Sequence, residues 1–275
     1  MNIIKEKRKE QAKQHYALMK YQYKNEINFS IKNSKIYTDK STFLKRANVF
    51  EDTLLLLSGM NSTEALAWIP SNGKAGLLNF ASFKNPGGGF LKGALAQEEA
   101  LCHDSTLYNV LENFTDFYAY NNKHFNKSMY LNRAIYSPSI FFPSQDKFID
   151  IITCAAPNYK AGKEKGITKE QNSLYLKNRI KFILDIAQDN DIEYLILGAY
   201  GCGVFQQDPN EVASIILQLY KEYHFKALIF AIPDKDGYNH KSFKHQIKDF
   251  INSQQKYNTI VIDRDVVDGV MGVRI

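Results

Sequence analysis

Residues 194–223 read YLILGAYGCGVFQQDPNEVASIILQLYKEY, and this stretch decides the fold. Tyr194–Leu197 is a short apolar run of strand length. Gly198, Gly201 and Gly203 then form a loop, and Pro209–Tyr223 carries apolar residues at helical spacing. Asp208 stands as an N-cap, Pro209 suits the first helical position, and Glu211 completes an acidic variant of the capping box. Strand, glycine loop and helix in that order bring backbone N–H groups and a helix N-terminus to a phosphate.

The same alternation continues on both sides. Phe148–Ala155 (FIDIITCA) reads as a buried strand, and Ser173–Gln188 as a helix through Leu174, Ile180, Ile183, Leu184 and Ala187. Strand Ala227–Ile232, helix His240–Ile251 and strand Thr259–Ile262 follow. Upstream, Ala75–Ala81 (AGLLNFA) predicts a strand and Leu95–Leu111 a helix. Residues 112–147, rich in aromatics and Asn and broken by Pro138 and Pro143, give no clear element. Strands alternating with helices imply a mixed, mostly parallel sheet covered on both faces, a three-layer α/β/α sandwich. With no repeat and no clear linker, residues 1–50 are expected to be a helical extension packed on the core, and residues 51–275 a single globular unit.

At 275 residues and 44% hydrophobic, the chain is long enough to bury a substantial core. Gly 15 and Pro 7 exclude collagen-like and low-complexity classes. No stretch approaches the roughly 18 apolar residues of a membrane span, and the N-terminus lacks a signal-peptide core. A cytoplasmic protein without membrane contact is expected. Cys102, Cys154 and Cys202 are odd in number and without CxxC spacing, which fits a reducing compartment rather than a disulfide framework or structural zinc. Of the net charge of +6, residues 1–25 supply five: Lys5, Lys7, Arg8, Lys9, Lys13, Lys20 and Lys24 against Glu6 and Glu10. The remaining 250 residues add one, so direct nucleic-acid binding is not expected, and the plain reading of the N-terminus is a solvated, mostly helical segment.

Seven of the fifteen glycines fall in two clusters, Gly198/Gly201/Gly203 and Gly87-Gly88-Gly89 with Gly93. The nicotinamide motif GxGxxG is not matched, since Gly201-Cys202-Gly203 is followed by Gln206, and no ribose-binding acid stands ~20 residues on. The earlier cluster leads into a helix opening with Gln97-Glu98-Glu99. Early acidic residues can simply complement a helix dipole, worth ~0.3–1 kcal/mol each. Adjacent helical residues point about 100° apart, so Glu98 and Glu99 cannot serve as the two opposed carboxylates of an ordinary glycosidase. One can face a scissile bond while the other grips hydroxyls, which points to a sugar-phosphate ligand. Cys202 between glycines has no His or Asp near it in sequence, so a nucleophilic role is disfavoured. Trp68 and the aromatic stretch Phe114, Phe117, Tyr118, Tyr120 and Phe125 read as core or rim, with adenine stacking as the alternative.

On these residues the chain resembles the bacterial-type poly(ADP-ribose) glycohydrolases, which are built on a macrodomain. Gly87-Gly88-Gly89 is separated by the seven residues Phe90–Ala96 from Gln97-Glu98-Glu99. Leu78-Asn79-Phe-Ala-Ser82, Asn85-Pro86 and Leu101-Cys102-x-x-Ser105-Thr-Leu-Tyr108 flank that motif in the family manner. Gly201-Cys202-Gly203-Val204-Phe205 resembles the family's diphosphate loop, and Tyr136-Ser-Pro138 and Ala155-Ala-Pro157-Asn158 resemble further segments, over roughly residues 50–235.

The resemblance implies a macrodomain-like fold and exo-acting hydrolysis of ribose–ribose bonds, with ADP-ribose as product and neither metal nor cofactor. It implies that Glu99 protonates the leaving ribose 2′-oxygen and then activates water, a role that needs a raised pKa. Glu98 would hold ribose hydroxyls and Asn79 the distal ribose. Gly87, Gly88 and Gly89 would wrap that ribose and the diphosphate, with Gln97 completing the binding set. Gly201, Cys202, Gly203 and Val204 would supply N–H groups to the diphosphate, and Phe205 would pack on the distal ribose. The chain departs from the family at Gln206-Gln207, where a glycine-containing pair is usual, and at His103, where Arg is usual and a ligand-facing role is expected. The tyrosine-bearing clasp of eukaryotic members is not located in this sequence, leaving adenine unassigned. Partners are poly(ADP-ribose) or ADP-ribosylated macromolecules; removal of single ADP-ribose groups and a non-catalytic ADP-ribose reader are the alternatives.

Overall fold

The computed structural model describes residues 2–43, 53–233, 235–253 and 261–262. Helices α1 (Asn2–Gln22) and α2 (Lys24–Asn33) precede strands β1 (Lys35–Thr38), β2 (Leu54–Ser58) and β3 (Ala75–Phe80). Helices α3 (Gln97–Asp104), α4 (Leu107–Leu111) and α5 (Thr115–Asn121) lead to strands β4 (Arg133–Phe142) and β5 (Lys147–Cys154). Then come α6 (Tyr159–Lys163), α7 (Lys169–Asp189), β6 (Tyr194–Leu197), α8 (Pro209–Leu219), β7 (Ala227–Ala231), α9 (Tyr238–Ser253) and β8 (Val261–Ile262). The chain forms two compact units, one of residues 1–41, 78–126 and 130–155, the other of 42–77, 127–129 and 156–275.

The second unit is parallel throughout. β6 pairs with the first half of β3 and with β7, β7 with β2, and β2 with β8. Leu195, Leu228, Ile229, Phe230, Leu55 and Leu57 are buried on successive positions, as in strands covered on both faces. α7 begins at Lys169, earlier than its apolar spacing suggests, because Thr168 and Gln171 bond each other's backbone N–H groups in a capping box. Its buried face carries Ile180, Ile183, Leu184 and Ala187, while Leu174 stays exposed. α8 starts as expected, with Asp208 accepting from Asn210 N and Pro209 in the first turn, though without a reciprocal bond from Glu211. Of the expected strand Thr259–Ile262, Thr259 and Ile260 lie outside the described residues, as do the expected boundary at residue 50 and the tail 263–275.

The first unit is antiparallel where residues 112–147 gave no reading. β4 lies between β1 and β5, with a bulge between Ser137 and Ile140. There Ser139 takes φ +56°, and Asp150 accepts from Ser139 N at 2.9 Å and from the Tyr136 hydroxyl. The expected helix Leu95–Leu111 is two helices. Ser105 is extended; its hydroxyl donates to Leu101 O (2.7 Å) and accepts from Leu107 N (3.1 Å), ending α3 and starting α4. The N-terminal segment is helical but solvated on one side only. Ala12 and Met19 are buried, Tyr16 donates to Glu112, and Asn109 donates to Tyr16 O. Among the described residues no helix is long and apolar enough to cross a membrane.

Candidate active site

In the first unit the end of β3, the triple-glycine turn and the start of α3 converge. Gln97 is tied to β3 by both ends of its amide: Oε1 accepts from Phe80 N (2.8 Å) and Nε2 donates to Leu78 O (2.9 Å). That pairing fixes the first turn of α3, and with it the two glutamates. Glu98 is 3% exposed and accepts from Ser82 N (2.6 Å) and from Asn79 Nδ2 (3.2 Å). Asn79 is fully buried, also reaches Thr153 Oγ1 at 3.3 Å, and leaves its own Oδ1 without a hydrogen bond. Glu99, 7% exposed, turns the other way: Oε1 accepts from Gly89 N (2.8 Å) and Oε2 from Ala96 N (3.0 Å). The two adjacent carboxylates thus take different donors.

The glycines have a reason the sequence did not reveal. Gly87 and Gly88 take φ +61° and +59°, and a Cβ on Gly88 would overlap Glu99 Oε1 and come within 2.9 Å of Glu98 Oε2. A Cβ on Gly87 would meet the Tyr108 ring at 2.6 Å. The turn is glycine because its backbone lies directly against both carboxylates, whatever ligand it also approaches. Burial pushes the Glu98 carboxyl up to about 8, the bonds from Ser82 and Asn79 pull it down, and the adjacent Glu99 adds to the rise.

His103, expected to face ligand, instead packs edge-on against Phe90 at 4.7 Å with its Nε2 buried and unbonded. Burial lowers its pKa, helped by the positive field of His15 and Arg8. In the aromatic stretch Phe117 and Tyr118 are buried, while Tyr120 lies between the Arg133 guanidinium (4.2 Å) and a stacked His124 ring (3.9 Å).

In the second unit the loop after β6 is held from behind. Gly201 takes φ +75°, and a Cβ there would sit 2.9 Å from both Ala156 Cβ and Gln207 Cγ. Gln207, 3% exposed, donates to Pro157 O (2.8 Å) and Asn172 Oδ1 (2.9 Å), accepts from Asn172 Nδ2 (2.8 Å), and donates through its backbone to Gly201 O (3.1 Å). Gln206 adopts φ +57°, the left-handed conformation natural to the glycine usual in the resembling family. Cys202 N donates to Ala199 O within the turn; Gly203 faces open space and Val204 is exposed. Lys160 N donates to Phe205 O. Burial, with the charge of Asp208, pushes the Cys202 thiol up to about 12, the wrong direction for a nucleophile.

No curated protein sequence matches the chain significantly. Poly(ADP-ribose) glycohydrolase from Thermomonospora curvata is 24% identical, with TM-score 0.78 over 88% of this chain and 99% of that one. The same enzyme bound to the inhibitor ADP-HPD is 26% identical at TM-score 0.75, again over 88% and 99%. Poly(ADP-ribose) glycohydrolase from Deinococcus radiodurans, in complex with ADP-ribose, is 28% identical at TM-score 0.72, over 81% of this chain and 97% of that one. The family model described as microbial-type PARG, catalytic domain, matches residues 4–143, half of the chain and all of the triple-glycine and glutamate segment. The chain belongs to the family of microbial-type poly(ADP-ribose) glycohydrolase catalytic domains.

Proposed function

We propose that this chain hydrolyses ribose–ribose O-glycosidic bonds of poly(ADP-ribose) from the polymer end, releasing ADP-ribose, with Glu99 as acid and then base. The observation that carries the reading is the pair of buried carboxylates under the triple-glycine turn, with Glu99 oriented by Gly89 N and Ala96 N. Two main-chain donors fix the carboxyl in position before substrate arrives, the kind of preorganisation that converts binding into rate. Protonation of the leaving 2′-oxygen breaks the bond as oxocarbenium character develops, and the resulting carboxylate then takes a proton from water. Glu98, held protonated through the neutral range by burial, keeps a second negative charge out of the site and can donate to a ribose hydroxyl. Asn79, with an unbonded Oδ1, is the partner for the distal ribose.

The Gly201–Phe205 loop binds the diphosphate through Gly201, Gly203 and Val204 N–H groups, Cys202 bracing the turn through Ala199 O, and Phe205 packs on the distal ribose. Neutralisation of the developing positive charge by that diphosphate is the electrostatic part of the mechanism.

The test sets three substrates side by side: poly(ADP-ribose), a mono-ADP-ribosylated protein, and free ADP-ribose as a binding ligand. Release of ADP-ribose from polymer, with little from the mono-modified protein, supports the reading. Equal turnover of both makes the protein a general ADP-ribosyl hydrolase, and binding without turnover makes it a reader.

A further inference from the structure

Five of the chain's six net positive charges lie in its first 25 residues, and the structure brings the start of that segment against the catalytic loop. The backbone of α1 at Lys5 and Lys9 lies directly on Gly93, so close that a Cβ there would overlap Lys5 O; Gly93 takes φ +72°. Gly93 ends the single 3₁₀ turn Phe90–Lys92 that leads out of Gly89, the residue whose N–H holds Glu99. At about 2.0 Å rise per residue, the four steps from Gly89 to Gly93 cover roughly 8 Å. Arg8 sits near enough to His103 to act on it electrostatically, and His103 lies one turn, about 6 Å, along α3 from Glu99. Arg8 is half-buried with an unbonded Nε, Lys5 and Lys92 are exposed, and Lys9 pairs with Glu6 at 3.5 Å. Packing alone would be met by apolar residues on this edge of α1, as Ala12 and Met19 meet it further along.

We infer that the edge formed by Lys5, Arg8 and Lys9 of α1, with Lys92 beside it, is a docking surface for the phosphates of poly(ADP-ribose) beyond the unit being cleaved. The inference rests on the proposed function and assigns the N-terminal helix a part in recognising polymer rather than monomer. Phosphates of the next unit replace their counterions with these cations, so affinity for long polymer carries a salt dependence that affinity for ADP-ribose lacks.

The experiment compares wild type with Lys5→Gln/Lys9→Gln/Lys92→Gln and with Lys7→Gln/Lys24→Gln/Lys32→Gln, which removes equal charge from exposed positions away from this edge. KM for long polymer is measured between 50 and 200 mM salt, alongside the Kd of free ADP-ribose. Three contacts at a slope of about 0.7 each mean that wild type loses about 20-fold more polymer affinity over that range than the first triple variant. The expected result is that this salt-sensitive part disappears in the first variant, persists in the second, and that the ADP-ribose Kd is the same in all three proteins. Equal salt slopes in wild type and the first variant overturn the docking surface, as does an equal loss in both variants. A wild type that neither binds nor cleaves polymer overturns the proposed function instead.

Discussion

Replacing Glu98 by Gln changes how stability depends on pH, and the size of that change follows from the site. Burial raises the Glu98 pKa from 4.5 to about 8 in the folded protein. Between those values the folded state holds a proton that the unfolded state has released, so stability falls as pH rises. The contribution is fully present below about pH 4.5 and lost by about pH 8, at about 1.4 kcal/mol per pH unit. From pH 5 to pH 8 the wild type thus loses roughly 4 kcal/mol that a neutral glutamine does not. The exchange has its own cost, because a glutamine amide offers one acceptor where the carboxyl offers two to Ser82 N and Asn79 Nδ2. Asn79 can compensate by turning its unbonded Oδ1 toward the new NH2, and any remaining loss of about 1 kcal/mol is independent of pH. Urea unfolding of both proteins at half-unit steps from pH 5 to 9 isolates the term as a difference of slopes, since all other titrations cancel. The variant overtakes the wild type between about pH 5 and 5.5 and exceeds it by roughly 3–4 kcal/mol at pH 8.5. Parallel pH curves would refute the claim that burial holds a proton on Glu98.

Gly88→Ala places a methyl against both carboxylates at φ +59°, and turnover falls by at least about 100-fold with a stability loss of about 2–4 kcal/mol; normal turnover would show that the turn yields freely. Gln207→Ala strands the buried Asn172 amide, costs about 2–3 kcal/mol by urea unfolding, and raises the Kd of ADP-ribose while Glu99 chemistry is untouched. Gln206→Gly relieves left-handed strain of about 1 kcal/mol, so its urea midpoint holds or rises; a clear drop would mean the Lys163 bond to Gln206 outweighs that strain. Cys202→Ala keeps its turnover, and wild-type turnover is insensitive to mild alkylating agents, as a thiol pushed up to about 12 requires.

What was legible in the sequence follows a physical rule. Tyr194–Leu197 and Ala227–Ala231 were readable because parallel strands covered on both faces are continuous apolar runs, and the Asp208-Pro209 pair marks the start of α8 locally. β1 and β4 were not, because their pairing is long-range and β4 carries Pro138 at a bulge organised by Asp150, a residue on another strand. β2 hid in Leu54–Ser58, where four leucines carry neither strand alternation nor β-branching. The break at Ser105 carries a local signal, a serine followed by threonine within a helical pattern, both suited to capping. At the site, Gln97, Glu98 and Glu99 stand out in the sequence, but only the folded chain shows that Gln97 grips β3 and that the glycines approach the carboxylates. The position of His103, one turn from Glu99, does not reveal that its ring packs edge-on against Phe90.

Whether the Glu99 carboxyl carries the proton transfers in cleavage of the ribose–ribose bond is measured directly by release of ADP-ribose from purified poly(ADP-ribose) by wild type, Glu99→Gln and Glu98→Gln. The expected result is rapid release by wild type and none by Glu99→Gln with its affinity for ADP-ribose retained, while Glu98→Gln keeps a reduced but measurable rate. Release by Glu99→Gln near the wild-type rate, or abolition confined to Glu98→Gln, would contradict it.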